Sequence, residues 1–265
     1  MIKFYRKRFV RDCVACALAF LLASGGASYA AGHTETTPYN WFFCKTDDHS
    51  VPPLGRGLEF TEKYDFYYVD RKVDARHPKI YLTFDVGYEN GNVAKILDAL
   101  RKHNATGAFF ILTHVAENER ELVERMINEG HTVCNHTAKH PDMSEITDRE
   151  TFCDQLQMLE KTFVKLYGRP LSHYYRPPEG RFSEQNLRYA KELGYKTVLW
   201  SFAYADWDNL RQPSEEKALQ NILDHTHNGM ILLLHPTSAT NAAIMDTLLT
   251  RLEEQGYSFG CLDEL

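Results

Sequence analysis

From Lys79 onward, short apolar runs alternate with amphipathic stretches. Residues 80–84 are β-favouring and dense enough for a buried strand, while Val93, Ile96, Leu97 and Leu100 recur at helical spacing with Asn90 or Asn92 available as a cap. Residues 108–112 predict the next strand. Leu122, Val123, Met126 and Ile127 predict a helix closed by Gly130, and residues 131–135 a third strand. Phe152, Leu156, Leu159, Phe163 and Leu166 form a long helical stripe that ends at Gly168 and Pro170. Further strands are expected at 174–175, 197–200 and 230–234, with helices near 184–193, 215–225 and 242–255. This alternation predicts an α/β fold built on a parallel sheet, open or closed into a barrel. Upstream, residues 51–76 carry Pro52, Pro53, Gly55, Gly57 and several tyrosines, and read as an irregular lead-in with one short strand at 66–69. Residues 31–50 read as a polar spacer. No internal repeat is evident.

The first thirty residues change the picture of where the chain acts. Lys3, Arg6, Lys7, Arg8 and Arg11 form a positive start ahead of an apolar run at 13–22. Ser28 and Ala30 are small residues at the two positions read before a cut at Ala31. The pattern predicts a signal peptide over 1–30 and an exported protein, with an uncleaved signal anchor as the alternative. The run is shorter than the roughly 20 residues of a membrane-spanning helix, so no stable span is expected after cleavage. What remains of the 265 residues suits one domain, placed at 77–265 after a lead-in at 31–76. The formal net charge is −6, and loss of the basic leader makes the rest more acidic. An acidic domain without a Lys/Arg cluster argues against a nucleic-acid partner and leaves a neutral glycan open. Cys44, Cys134, Cys153 and Cys261 follow the leader at spacings that fit no zinc motif. Export permits disulfides, and both reduced and bridged cysteines stay open.

The candidate chemistry falls just after predicted strands, where parallel α/β folds place their active sites. Asp85 ends the first strand, either as a cap or as a general base. In the run His136-Thr137-Ala138-Lys139-His140, two histidines four apart are expected on one face of a helical turn, where they could share a divalent metal. A surface pair is the alternative. Arg176 sits in Arg176-Pro177-Pro178-Glu179-Gly180, a stiff turn from which its planar fork could hold a carboxylate or a surface ion pair. Asp206, beside Trp207, could bond an imidazole and raise its pKa. His235 follows 231–234 as a core-edge residue or an acid. Taken together these groups suit amide hydrolysis, which needs a polarised carbonyl, an activated water and a protonated leaving amine.

The set Thr83-Phe84-Asp85, His136-Thr137-x-x-His140, Arg176-Pro177-Pro178, Asp206-Trp207 and Leu234-His235 resembles, in order, the five motifs of the polysaccharide deacetylase family. That family is also called carbohydrate esterase family 4, or the NodB-homology domain. The resemblance covers roughly residues 79–265. It implies a distorted (β/α) barrel that removes N-acetyl groups from chitin, peptidoglycan or related polymers with a divalent metal, zinc first among the candidates. The phrase 83–90, the tail Leu234-His235-Pro236-Thr237-Ser238 through Asn241 and the ending Gly256-Tyr257-x-Phe259 look closest to one branch. Its members are N-acetylmuramic acid deacetylases that lead to muramic δ-lactam in the spore cortex. By that similarity Asp85 is the base, oriented by Arg176, and His235 is the acid, tuned by Asp206. His136 and His140 hold the metal, and Trp207 and Pro177 meet the substrate. The implied partner is the peptidoglycan glycan strand, in the cell wall or spore cortex.

One position departs from the family pattern. Most members carry a second, metal-binding Asp after the base, and here it is Val86. Three consequences are open: a metal held loosely by His136, His140 and water, a substitute ligand such as Asp142 or Glu89, or a lost metal. The alternatives in function are an N-acetylglucosamine or chitin-type deacetylase and a glycan-binding homologue with little turnover.

Overall fold

The computed structural model describes residues 34–265; the expected signal peptide and cut site lie outside the described residues. The lead-in contributes β1 (Tyr39–Asn40) and β2 (Phe66–Tyr67). Then follow β3 (Lys79–Val86), α1 (Val93–Lys102), β4 (Gly107–Ile111), α2 (Thr113–Asn118), α3 (Arg120–Asn128) and β5 (Thr132–Asn135). After α4 (Arg149–Tyr167) come β6 (Tyr174–Tyr175), β7 (Arg181–Phe182), α5 (Glu184–Glu192) and β8 (Lys196–Val198). The chain ends with α6 (Glu215–Asp224), β9 (Met230–Leu234), α7 (Ala239–Glu254) and β10 (Ser258–Phe259). No helix of the described residues is long and apolar enough to cross a membrane.

The main sheet runs β10-β3-β4-β5-β6-β8-β2, with β9 also on β3, and every pair in it is parallel. The sheet curls until its far side meets β9. Phe202, beyond β8, bridges Leu232, and Val69, beyond β2, bridges Met230. Single bridges rather than a full ladder close the ring, and the result is a distorted (β/α) barrel.

Side-chain alternation sorts β3 into two cores. Leu82, Phe84 and Val86 join Ile96, Leu97, Leu100 and Leu248 in the layer between strands and helices. Tyr81, Phe110, Cys134, Tyr174, Val198 and Ile231 fill the barrel interior. Cys134 lies in that interior, two positions before His136 on the same strand face. Leu262, from the C-terminal turn, packs into the same interior and plugs it. Among the described residues, Cys44, Cys134, Cys153 and Cys261 are unpaired.

Helix ends follow local chemistry. Ser183 and Asn186 form a reciprocal capping box on α5, and Asp148 accepts the Thr151 N–H to start α4. The six-residue α2 escapes the periodicity reading because only Val115 and Ala116 of it are buried. Residues 31–50, read as a polar spacer, contain an exception. Tyr39 and Asn40 pair with β7, and Trp41 is buried, its indole N–H donating to the Trp200 carbonyl at 2.9 Å. The aromatic cluster Tyr39, Trp41 and Phe43 docks an otherwise polar run, and averaged composition hides it.

Gly229 stands at the closure. Its φ is +75°, its carbonyl accepts the Asp70 N–H, and an added Cβ would fall 1.8 Å from the Asp70 carbonyl oxygen. Gly229→Ala is expected to cost roughly 2–4 kcal/mol in chemical denaturation. Gly57→Ala, at φ +83° with open space around it, isolates the backbone strain and is expected to cost only about 1–2 kcal/mol.

Candidate active site

Strand register assembles the site. Phe84 pairs with Leu234, so the next residues, Asp85 and His235, stand side by side at the ends of β3 and β9. Asn135 pairs with Tyr175, so His136 and Arg176 are likewise neighbours after β5 and β6. All four continue the inward-facing rows.

Arg176 is fully buried, with 0% exposure. Nη1 donates to Asp85 Oδ1 at 2.8 Å, Nη2 to Thr83 Oγ1 at 2.9 Å and Leu199 O at 3.1 Å, and Nε to Val198 O at 2.9 Å. The guanidinium also lies over the Phe110 ring, 4.2 Å from its centre. Burial pushes the Asp85 carboxyl up, but the Arg176 charge and hydrogen bond outweigh it and hold the group below the usual carboxylate range. Asp85 is therefore an ionised carboxylate in a dry place.

His136 Nδ1 meets the Arg176 carbonyl at 2.8 Å. A carbonyl only accepts, so Nδ1 carries the proton and the Nε2 lone pair faces Asp85 Oδ2, 3.6 Å away. Burial lowers the His136 pKa to about 4, which keeps the ring neutral. The His140 ring lies 5.1 Å from it, centre to centre. The segment joining them is not the helical turn expected from the spacing. Thr137 and His140 have φ of 75° and 58°, the Thr137 N–H donates to Asn135 Oδ1, and the His140 N–H donates to Thr137 Oγ1. A β-branched residue at positive φ is strained, and the side-chain bonds of Asn135 and Thr137 hold the loop in that shape.

Asp206 is buried and accepts from the His235 backbone N–H at 2.8 Å, from His235 Nδ1 at 2.7 Å and from Asn241 Nδ2 at 2.6 Å. Burial pushes the His235 imidazole down, but the Asp206 hydrogen bond and charge more than offset it, and the pKa ends above the usual range. With Nδ1–H held by Asp206, Nε2 is the nitrogen left for a ligand. The sequence reading missed Asn241, whose amide also bonds the His235 carbonyl and the Tyr204 hydroxyl. Asn241 stands three residues after the cap Ser238 in α7, and its backbone N–H donates to the Ser238 hydroxyl.

These groups open into one cavity of about 610 Å³, lined by Asp85, His136, His140, His235 and Trp207, together with Glu179, Trp200, Ala203, Tyr204 and Leu233. Trp207 is 61% exposed at its rim. Pro177, expected against the substrate, is buried and is not on the cavity wall. It starts the turn whose third residue, Glu179, takes that place.

A model of the polysaccharide deacetylase family matches residues 72–198. The peptidoglycan-N-acetylmuramic acid deacetylase PdaA of Bacillus subtilis is 40% identical over 254 residues, covering 96% of this chain and 94% of that protein. The chain belongs to the polysaccharide deacetylase family. A peptidoglycan-N-acetylglucosamine deacetylase of Bacillus cereus is 30% identical over 86% of this chain and 88% of its own. The solved structure of B. subtilis PdaA, a family 4 carbohydrate esterase, superposes with a TM-score of 0.81 at 39% identity, covering 87% of this chain and 97% of that one.

Deacetylases of this family are metal-dependent in general, and the donors here bear on that. Val86 is 1% exposed, lies in the strand–helix core and has no donor atom. Asp142 caps the turn at Ser144 and pairs with Arg181 at 2.6 Å. Glu89 accepts the Gly91 N–H and is not on the cavity wall. Among the described residues no group of three or more His, Cys, Asp or Glu side chains is placed to hold a metal. His136 and His140, the pair expected from the sequence, both line the cavity with ring centres 5.1 Å apart and carry nitrogen donors of the kind a divalent ion takes.

Breaking one side of the buried Asp85–Arg176 pair leaves an uncompensated charge. Arg176→Met is expected to cost roughly 3–5 kcal/mol in equilibrium denaturation. Adding Asp85→Asn is expected to recover part of that loss rather than add to it, which a double-mutant cycle reads directly.

Proposed function

We propose that this protein hydrolyses the N-acetyl group of N-acetylmuramic acid in peptidoglycan. One observation carries the reading: an ionised Asp85 held by Arg176 and a His235 held by Asp206 stand on adjacent strand ends in a cavity that also contains His136 and His140. The muramyl sugar is favoured because the relative of that named activity is 40% identical across nearly the whole chain, against 30% for the N-acetylglucosamine deacetylase. Those relatives are named for action on peptidoglycan, which supports an extracytoplasmic place of action and agrees with the expected signal peptide.

In this mechanism Asp85 accepts a proton from the attacking water as the new C–O bond forms. Arg176 holds the carboxylate ionised and aimed. His235 donates its Nε2 proton to the amide nitrogen as the C–N bond breaks, so acetate and a free amine leave. Asp206 and Asn241 keep the imidazole in the right tautomer and orientation. His136 and His140 would hold the divalent ion, with zinc the expected metal, and when bound it supplies Lewis acidity to the acetyl carbonyl. Trp207 and Leu233 give the wall its apolar surface against the sugar. The freed amine lies on the same sugar as the lactyl carboxyl, and closure between them, with loss of water, gives the muramic δ-lactam.

The test is acetate release by EDTA-stripped protein on peptide-free muramyl glycan, with and without Zn²⁺ or Co²⁺. Metal-dependent release that Asp85→Asn abolishes is the expected result. Bound glycan with no release under any metal would sink the hydrolase reading. Mass spectrometry of the product then separates the free amine from the dehydrated lactam.

The acid must be protonated to act, so kcat/KM falls as pH rises through the His235 pKa, which lies above the usual imidazole value. Asp206→Asn removes the charge that raises it. The alkaline limb of the pH–rate profile is expected to move to lower pH, and an unmoved limb would remove His235 from the acid role.

A further inference from the structure

Glu179 is the one cavity-wall carboxylate that the proton-transfer scheme leaves unused. It lines the cavity beside Trp200 and is exposed to solvent. Among the described residues nothing donates a hydrogen bond to its carboxylate, and no Lys or Arg lies on the cavity wall. The adjacent cation, Arg181, is engaged by Asp142.

Its backbone is held at φ 56°, ψ 9°, where a non-glycine residue is strained. The turn cannot relax. The Gly180 N–H donates to Pro177 O at 3.0 Å, and the Gly180 carbonyl accepts the Trp41 N–H at 2.9 Å. The fold thus sustains a long, charged side chain at a position that glycine would occupy with less strain, and no contact within the protein compensates.

We propose that Glu179 is a substrate-binding residue that accepts a hydrogen bond from the C6 hydroxyl of the sugar in the cavity. This rests on the deacetylase reading. An ionised carboxylate only accepts, so its partner must be a donor. Within a glycan strand a muramyl residue has both glycosidic oxygens and O3 substituted, and its N-acetyl group is at the reacting centre. The C6 hydroxyl is then the one free hydroxyl donor on the ring. The ionised lactyl group on O3 is repelled by Glu179 and is turned away from this wall, which brings the C6 side toward it. A glycan whose C6 oxygen carries an acetyl ester has lost the donor and is discriminated against.

The experiment compares the metal-loaded full chain on peptide-free muramyl glycan and on the same glycan acetylated at O6, reading loss of the N-acetyl group by mass spectrometry as free amine plus lactam. The wild type is expected to show a KM about tenfold higher on the O6-acetylated glycan, the size of one hydrogen bond to a charged group. Glu179→Gly is expected to raise KM on the plain glycan by about tenfold and to erase the discrimination, with little change in kcat. It is also expected to raise the melting temperature by roughly 2–4 °C as the strain is released. Glu179→Gln, which keeps an acceptor without the charge, is expected to fall between. Unchanged KM in Glu179→Gly, or discrimination that survives it, overturns the assignment. If the wild type removes the N-acetyl group from neither glycan, giving neither amine nor lactam, the hydrolase reading fails instead. Calorimetric binding of the two glycans to Asp85→Asn, with and without Glu179→Gly, then tests the hydroxyl contact by itself.

Discussion

A buried guanidinium must be surrounded by acceptors, and that constraint organises this barrel. Arg176 has no contact with solvent, so each of its N–H groups needs a partner in the protein. Four of the five find one, on two strands and the residue that follows: Thr83 and Asp85 of β3, Val198 at the end of β8, and Leu199 just beyond it. The same bonds that satisfy the charge tie non-adjacent strands across the barrel interior. Asp85 could not stay ionised at this depth without that cation, and the cation could not be buried without Asp85. The electrostatics of the proposed base and the closure of the fold are one arrangement.

Strand alternation explains why the polar groups share one level. Tyr81, Thr83 and Asp85 are successive inward positions of β3, and Ile231, Leu233 and His235 are those of β9. The lower positions are apolar and are sealed by Leu262, while the upper ones carry titratable groups. Water is kept from the underside, and the reacting groups meet it only through the cavity. The surroundings then separate two groups that do opposite work: neighbouring cations lower the Asp85 pKa, and a neighbouring carboxylate raises that of His235.

The strand ends were legible because a short apolar run has a definite stop, and in a parallel sheet the residue at that stop faces the site. Asp85, His136, Arg176 and His235 could be named in that way. Asp206 and Trp207 follow an irregular stretch after β8, so spacing alone placed them poorly and the motif order did more. The i, i+4 histidines do come together, though through a strained loop rather than a helix: proximity survived and the conformation did not. Pro177 is buried and off the cavity wall, because a proline in a motif stiffens a turn as readily as it touches a ligand, and here the turn presents Glu179. Trp41 and Asn241 stayed hidden for another reason. Each acts across a large sequence separation, on Trp200 and Asp206, and no local period records that.

Val86 weighs on only one part of the proposed chemistry. A third protein donor beside His136 and His140 would tighten the hold on a divalent ion. Proton transfer depends on other atoms. Arg176 favours the ionised form of Asp85 and Asp206 favours the protonated form of His235, both by direct hydrogen bonds within the chain. A valine there also packs between Phe84 and Ile111 in register with the strand–helix core, so the apolar layer gains where the ion site loses. Valine at 86 thus adds to core packing and leaves the Asp85–Arg176 and His235–Asp206 pairs intact, so these four residues argue for the proposed turnover rather than for a glycan-binding remnant.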